Sequence, residues 1–559
     1  MRPFATRRET IELFLAAMPV APLLSACSLV DSAYAPTQSP ESNAGPNTSQ
    51  YVIAIEDEPD TVDFMCTSIH YTVAINVFNR LVETVVNEQG DRRIEPSLAE
   101  SWKLAGDGRA YTFHLRKGVT FSNGSPLTSS DVLYTFVRLL THPDSCNRDI
   151  AEPILGASKL ASGEASDLEG FTVLDDPSFV IELEQPFEAF LPCLSMPGAS
   201  IVNAHTMEQV GDRFGIDPKS TIGTGPFLFA QWEPNKRLLL SANKDCWEGP
   251  PHSEGLDLRF LEEPEEVRRM FEQGELDILD LDEVGSASEY FVHGDIYQDR
   301  QYVVSRIGTT YNALNHTVQP LDDVRVRKAL QRALDRTLLL DAVYSGFGTV
   351  EHGIYPHGLY GFNPDLPQIP YAPDEARSLL AEAGHADGFD LLISVKSSST
   401  QWEMTLVKLV ASMWADVGVR ATIAVLEEDD FMAQRKSGQL ACYSAMWTAD
   451  YDDPDTFLYT FFGNRQNTTF RSLCYQREDN MERVRHARTI TNADERLKEY
   501  QDLEQIIAQD DAAWIPLFSR KRIYVTSERT HGIASSWNGS IKTRYCEISI
   551  DEPPQTGAQ

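Results

Sequence analysis

The residue types that cleave bonds are present in this chain without the arrangements that make them work. Glycoside cleavage uses two carboxylates, and acid pairs occur at Asp277 with Asp280 and in the run Glu427, Glu428, Asp429 and Asp430. In so acidic a chain these read as solvated turns and helix ends. His352 and His357 sit in a Gly/Pro-rich loop, the wrong setting for a rigid metal pair. There is no Gly-x-Ser-x-Gly elbow and no His-Glu-x-x-His. The eight cysteines (Cys27, Cys66, Cys146, Cys193, Cys246, Cys442, Cys474 and Cys546) are scattered without a Cys-x-x-Cys pair, so zinc and thioredoxin-like chemistry find no support. The expectation is a chain with no catalytic residues, no metal and no cofactor. An exported hydrolase is the enzyme alternative, to be exposed by turnover of peptide.

The bulk properties narrow the class. A length of 559 residues exceeds what one hydrophobic core usually organises. The composition, 42% hydrophobic and 23% charged, is that of a folded protein. A formal net charge of −35 argues against nucleic acid, because affinity for phosphate backbones rests on many Lys and Arg contacts.

The N-terminus carries an address. Arg2, Arg7 and Arg8 precede an apolar run from Leu13 through Leu24, interrupted by Pro19 and Pro22, and then Ser25, Ala26 and Cys27. This is signal-peptide architecture, too short and too broken for a membrane span. The tetrad Leu24–Cys27 resembles the bacterial lipobox, which implies a diacylglycerol on the Cys27 thiol and cleavage before it. Residues 1–26 are then a signal peptide and 27–50 a lipidated tether, rich in Pro, Ser, Asn, Thr and Gly from Ala35 to Gln50. Seven cysteines remain, so at least one stays unpaired within the molecule.

From Tyr51 the pattern mixes strands and helices, as α/β lobes do. Ala110 to Arg116 alternates Tyr111, Phe113 and Leu115 with Thr112, His114 and Arg116, a half-buried strand with His114 outward. Ser129-Ser130-Asp131 caps a helix carrying Val132, Leu133, Phe136 and Leu140. Asp322-Asp323 opens another with Val326, Leu330, Ala333 and Leu334 on one face. A third starts at Pro373 and stops at Gly384.

Several blocks carry a resemblance. Pro96 to Trp102, continuing through Tyr111 to Val119 and Leu127 to Val132, is similar to the signature of the family 5 extracellular solute-binding proteins, the receptors of oligopeptide, dipeptide and nickel importers. Gly223-Thr224-Gly225-Pro226-Phe227, Asn243 to Trp247, Val324 to Ala329 with Asp335-Arg336, and Ala372 to Gly384 resemble further family blocks in the same order. The resemblance implies an α/β two-lobed clamshell of the large three-subdomain periplasmic-binding-protein type (class II), its lobes joined by two crossing hinge strands. Lobe I would take residues 51–310, with an inserted subdomain at 96–219, and return at 525–551. Lobe II would take 311–524, and 552–559 would be a disordered tail. The crossings fall near Tyr311 to Asn315 and Ile523 to Thr526.

The resemblance also implies the role: an extracytoplasmic receptor that captures a di- to oligopeptide between the lobes and passes it to ABC permease subunits. It would be a monomer, anchored to the outer face of the membrane through the Cys27 lipid. A nickel chelate or glycan receptor and a surface sensor stay open. Trp447 to Pro454 resembles the segment whose aspartate binds a peptide's α-amino group, and by position that is Asp450, with Trp447 and Tyr451 beside it. A carboxylate in a dry cleft is costly unless a cation neutralises it, which favours an ammonium; the same residues also read as a plain capped turn. Glu58, Asp60 and Phe64 in lobe I, and Tyr311 with Asn312 at the crossing, are further ligand-binding candidates by family position.

Overall fold

One strand holds the two halves of the molecule together. Trp514–Thr526 runs for 13 residues and changes partners along its length. Its first half pairs antiparallel with Gly308–Leu314, from Ala313 opposite Trp514 to Thr310 opposite Phe518. Its second half pairs with Gln301–Ser305 and Ile278–Asp280, from Ser305 opposite Lys521 to Ile278 opposite Thr526. Pro516 has no N–H to give a ladder, and the register shifts between Thr310 and Tyr311 beside it, as a β-bulge allows. The returning chain changes partners between Ser305 and Gly308. Both changeovers lie upstream of the Tyr311–Asn315 and Ile523–Thr526 segments expected to cross, because Gly308–Leu314 is already fully paired within the second half.

This computed structural model describes residues 50–67, 71–86, 92–285, 288–292, 295–533 and 544–551. The signal peptide, Cys27, the tether apart from Gln50, and the tail 552–559 lie outside them. Thr48–Gln559 forms one unit. Its main sheet reads, in hydrogen-bonded order, Val419–Leu426, Phe389–Lys396, Cys442–Thr448, Gly308–Leu314, Trp514–Thr526, Ile278–Asp280, Gln50–Ile55, Gly255–Phe260, Arg237–Ala242 and Phe227–Glu233. Parallel and antiparallel pairs mix. Val419–Leu426 and Phe389–Lys396 are parallel, and helix Gln401–Ala415 connects them.

A separate four-stranded sheet, Ala99–Leu104, Ala110–Leu115, Ser178–Glu182 and Phe171–Asp175, lies within the first half. The alternation in its second strand comes out as expected: Tyr111, Phe113 and Leu115 are buried and His114 is exposed, with Nδ1 3.1 Å from the Ser178 hydroxyl. Helix Ser129–Thr141 starts one residue earlier than Ser129-Ser130-Asp131 suggests. Thr128 is its N-cap and Asp131 closes a capping box, accepting the Thr128 N–H at 2.9 Å. Ser129 donates instead to the Asp175 and Asp176 carbonyls, tying the helix to the sheet edge. Asp323 caps Val324–Arg332 through the Arg325 N–H, and Gly384, at φ +89°, follows Pro373–Glu382.

The acid pair Asp277 and Asp280 corrects the sequence reading. Both are buried, and neither stands in a solvated turn. Asp277, with 0% exposure, takes the Val52 N–H at 3.0 Å and a two-pronged ion pair from Arg529 at 2.6 and 2.7 Å; Asp280 is paired with Arg522 on the shared strand. Glu428, Asp429 and Asp430 do form a helix end, the exposed first turn of Glu428–Lys436. Removing one partner of a buried pair leaves the other charge uncompensated, so Asp277→Ala is expected to cost about 3–5 kcal/mol of unfolding free energy. Urea denaturation checks this; a loss below about 1 kcal/mol contradicts the structural role.

Candidate functional site

The strand that carries the candidate aspartate is in register with its neighbour along its whole length. Cys442–Thr448 pairs antiparallel with Gly308–Leu314 from Leu314 opposite Cys442 to Gly308 opposite Thr448. Ala449 N–H still reaches the Ile307 carbonyl at 2.7 Å. Beyond that the chain turns into helix Asp455–Phe462, and the turn is dense in carboxylates. Three of them are committed. Asp452 accepts the Tyr360 N–H at 2.7 Å. Asp453 accepts the Asp455 N–H at 2.9 Å and binds Arg496 through both oxygens at 2.6 and 2.8 Å. Asp455 accepts the hydroxyls of Tyr451 and Tyr500 at 2.9 and 2.8 Å and pairs with Arg488.

Asp450 is the one left over. Among the described residues its carboxylate accepts a hydrogen bond from the Thr456 hydroxyl alone, at 3.4 Å, while its own N–H donates to the same oxygen at 3.2 Å. The turn-capping role open to this stretch therefore falls to Asp453, and Asp450 faces a cavity of about 640 Å³, a volume usual for small-ligand sites. One wall comes from the first half of the molecule, with Asp149, Glu152, Phe187 and Cys193; the other comes from the second half, with Asp450, Tyr451, Tyr459, Arg471 and Arg488.

The electrostatics of this cleft are lopsided. Burial, and next the negative charge of Asp149, push the Asp450 carboxyl up to about 7, although Arg471 and the Thr456 hydroxyl draw it down. Asp149 is exposed on the cavity wall; desolvation by the surrounding chain and then Glu152 push its carboxyl up to about 6, against its backbone hydrogen bonds and Arg488. Among the described residues neither carboxylate has an ion-pair partner. Arg471 stacks over the Trp447 ring at 4.3 Å and over Phe461 at 5.1 Å, and burial holds its guanidinium below the ordinary value. Both carboxyls line the same cavity and both are pushed toward their neutral forms, so a cation entering beside them would favour their charged forms.

The walls also touch. Arg488 reaches across from the second half, its guanidinium 4.4 Å from the Phe187 ring and 3.7 Å from Tyr459. Tyr451 is buried against the hydrophobic cluster of the first half. A second cavity of about 550 Å³ lies beyond, lined by Glu188, Tyr360, Asp453 and Arg496, where the Asp453–Arg496 pair is already satisfied.

The structure brings only some of the expected residues together. Asp450 and Tyr451 line the cavity, and Trp447 backs it, its indole N–H donating to the Thr456 carbonyl at 3.2 Å beneath Arg471. Glu58 is taken up by the Trp232 indole N–H and the Asn235 N–H at 2.6 and 2.7 Å, and Asp60 is exposed. Phe64 packs edge-on against Phe78 and Phe214 in the core. Tyr311 is buried and stacks on Trp514 at 4.1 Å, and Asn312, also buried, accepts the Ser444 hydroxyl at 2.5 Å. Neither His352 nor His357 enters the cavity lining; His357 meets Glu351 at 3.0 Å and His352 accepts the Ile369 N–H.

Asp149, Phe187, Arg471 and Arg488 went unforeseen. Asp149 lies within a short 3-10 turn, Arg148–Ile150, in a segment with no periodicity, and it shares a cavity with Asp450 only when the halves meet. Arg471 carried no signal of its own, since it follows helix Arg465–Phe470, which already opens on an arginine.

Comparison with known proteins places the whole arrangement. The family model for bacterial extracellular solute-binding proteins, family 5 middle, matches residues 93–469. Heme-binding protein A of Haemophilus influenzae is 29% identical over 474 residues, covering 82% of this chain and 84% of that protein. The dipeptide-binding protein of Escherichia coli is 27% identical over 468 residues, covering 78% and 83%. Among solved structures, HbpA2 from Haemophilus parasuis superimposes with a TM-score of 0.72 at 26% identity, covering 90% of this chain and 100% of that one. A periplasmic oligopeptide-binding protein from Borrelia burgdorferi, at 23% identity, gives 0.74 over 90% and 99% and shares the fold. With a two-lobed architecture, a charged cleft between its halves and a family match across most of its length, this chain belongs to the family 5 bacterial extracellular solute-binding proteins.

Proposed function

We propose that the chain is the receptor of an ABC importer and captures a short peptide by its free amino terminus, which enters between Asp450 and Asp149. The observation that carries this reading is the pair of cavity-facing carboxylates with no cation between them. An α-ammonium supplies the missing charge, and Thr456 and the Tyr451 ring shape its surroundings. Arg471, stacked on Trp447 and without an ion pair among the described residues, is placed to receive a carboxylate, so a zwitterionic peptide satisfies both signs of charge. The names of the Escherichia coli relative and of several Pseudomonas aeruginosa di/tripeptide-binding relatives agree. The haem of the Haemophilus relative's name suits this cleft less well, because its two propionates would meet Asp149, Glu152 and Asp450.

In this reading the lobes divide at the two partner changes, Ser305–Gly308 and Phe518–Lys521, close to the expected division of residues 51–310 and 525–551 from 311–524, and the 96–219 subdomain carries Asp149 and Phe187. Closure about these crossings shuts water out and presents the loaded form to the permease. The receptor works as a monomer tethered by lipid on Cys27; Cys27→Ser is expected to release it from the membrane fraction, and retention there contradicts the anchor.

Calorimetric titration with a dipeptide and its N-acetylated form tests the amine reading. Asp450→Asn is expected to weaken the free peptide about 30-fold or more, equivalent to about 2 kcal/mol, and to change the weak binding of the acetylated form little. Equal affinity for the two forms in the parent protein contradicts the proposal.

The pH dependence follows from the raised carboxyls. Protons compete with the ammonium as pH falls through about 7 and then about 6, so affinity drops on acidification; the α-amine loses its own proton near about pH 8. Stability of the empty receptor runs the other way. The folded state binds these protons before the unfolded chain does, so their contribution rises as pH falls from about 7 to about 4. Thermal melts at about pH 5 and about pH 7.5 check the sign, and Asp450→Asn is expected to reduce the difference.

A further inference from the structure

Behind the Asp149 wall two cysteines stand side by side. The Cys146 N–H donates to the Met65 carbonyl at 2.8 Å, and the Cys146 sulfur lies 3.4 Å from the Cys66 carbonyl oxygen. The Met65 carbonyl belongs to the peptide unit joining Met65 to Cys66, so the backbones of the two cysteines lie alongside each other, as a disulfide requires. Cys146 is exposed and Cys66 half-buried, and because the Cys66 thiol donates to the Asp63 carboxylate at 3.4 Å and the Cys146 thiol to the Cys66 carbonyl, forming the bond turns both sulfurs away from these oxygen partners. A third group completes the cluster. His142 Nδ1 lies 3.5 Å from the Cys66 sulfur and also accepts the Asp144 N–H at 3.3 Å, which fixes that nitrogen as an acceptor. Among the described residues no cluster suited to a metal ion occurs, so the grouping is left to thiol chemistry.

We propose that Cys66 and Cys146 are joined by a disulfide in the exported protein, and that this bond pins the loop that presents Asp149 to the cleft. Extracytoplasmic proteins meet an oxidising environment. The exposed Cys146 thiolate attacks a protein or small-molecule disulfide and releases one of its thiols. The Cys66 sulfur then attacks Cys146 in the mixed disulfide, its proton passing to His142 Nδ1 and its new bond displacing the second thiol. Two electrons and two protons thus reduce the oxidant to a pair of thiols. Burial and the Asp63 charge hold the Cys66 thiol up at about 12, so Cys146 is the sulfur that starts the exchange.

The crosslink spans 80 residues of chain, a long loop whose closure restricts the unfolded state. It also reinforces a polar clamp already present, in which the Asn147 amide donates to the Phe64 and Thr67 carbonyls at 2.8 and 3.0 Å and to the Tyr71 hydroxyl.

Mass mapping of the full chain, recovered from the cell envelope without reductant and alkylated with N-ethylmaleimide in denaturant, tests the bond independently of any ligand. The expected result is one linked peptide pair containing Cys66 and Cys146, both unalkylated, that separates on reduction. Alkylation of both residues, or linkage of either to another cysteine, overturns the proposal. Reductant is expected to lower the melting temperature by several degrees more in the parent protein than in the Cys66→Ser/Cys146→Ser double variant; an equal response in the two removes the pinning role. The inference rests on the extracytoplasmic setting of the family, so it stands or falls apart from the peptide reading.

Discussion

Two carboxylates held opposite each other across a cleft, with no cation between them, are the constraint to which the surrounding structure answers. Desolvation, and next the charge of Asp149 on Asp450 and of Glu152 on Asp149, disfavour ionisation of both carboxyls and push them upward. Such an arrangement persists only where neighbouring groups are fixed by other means. Here Asp452, Asp453 and Asp455 anchor the turn to Tyr360, Arg496, Tyr451, Tyr500 and Arg488. The energy that holds the turn comes from these paired acids, while Asp450 lines the cavity with no ion pair among the described residues.

Because the opposing acids come from different halves, the cleft depends on how those halves are joined. Trp514–Thr526 is shared by both, and its partner change falls among Asp280, Asp282, Arg306, Arg520 and Arg522, a partly buried network of opposite charges. A joint made of a continuous strand and directional ion pairs resists shear while a few backbone torsions still rotate. That suits a receptor that must open to admit solute and close to be recognised. The contact of Arg488 with Phe187 and the burial of Tyr451 against the opposite core tie the two halves directly together.

Much of this was legible in the sequence because local patterns fix local structure. The alternation at Tyr111, Phe113 and Leu115, the Asp323 cap and the Pro373 start each depend on a few neighbouring residues. Asp450 was found through a resemblance; its isolation among four nearby acids becomes visible only when the partners of the other three are known. The failures share one cause. Asp277 and Asp280 looked like solvent-facing acids because Arg529 and Arg522, which permit their burial, lie about 250 residues away. Asp149, Arg488 and Phe187 matter only through contacts between segments hundreds of positions apart, and no periodicity announces such a pairing.

The central claim, that an ammonium ion settles between Asp450 and Asp149, is tested most directly by counting protons exchanged on binding. Titration of a dipeptide at about pH 6.5 in buffers of different ionisation enthalpy measures that number. The carboxyls are partly protonated in the empty cleft and must ionise to receive the ammonium, so binding is predicted to release on the order of one proton, and Asp450→Asn is predicted to reduce that release. Binding with no net proton exchange in the parent protein would contradict the account.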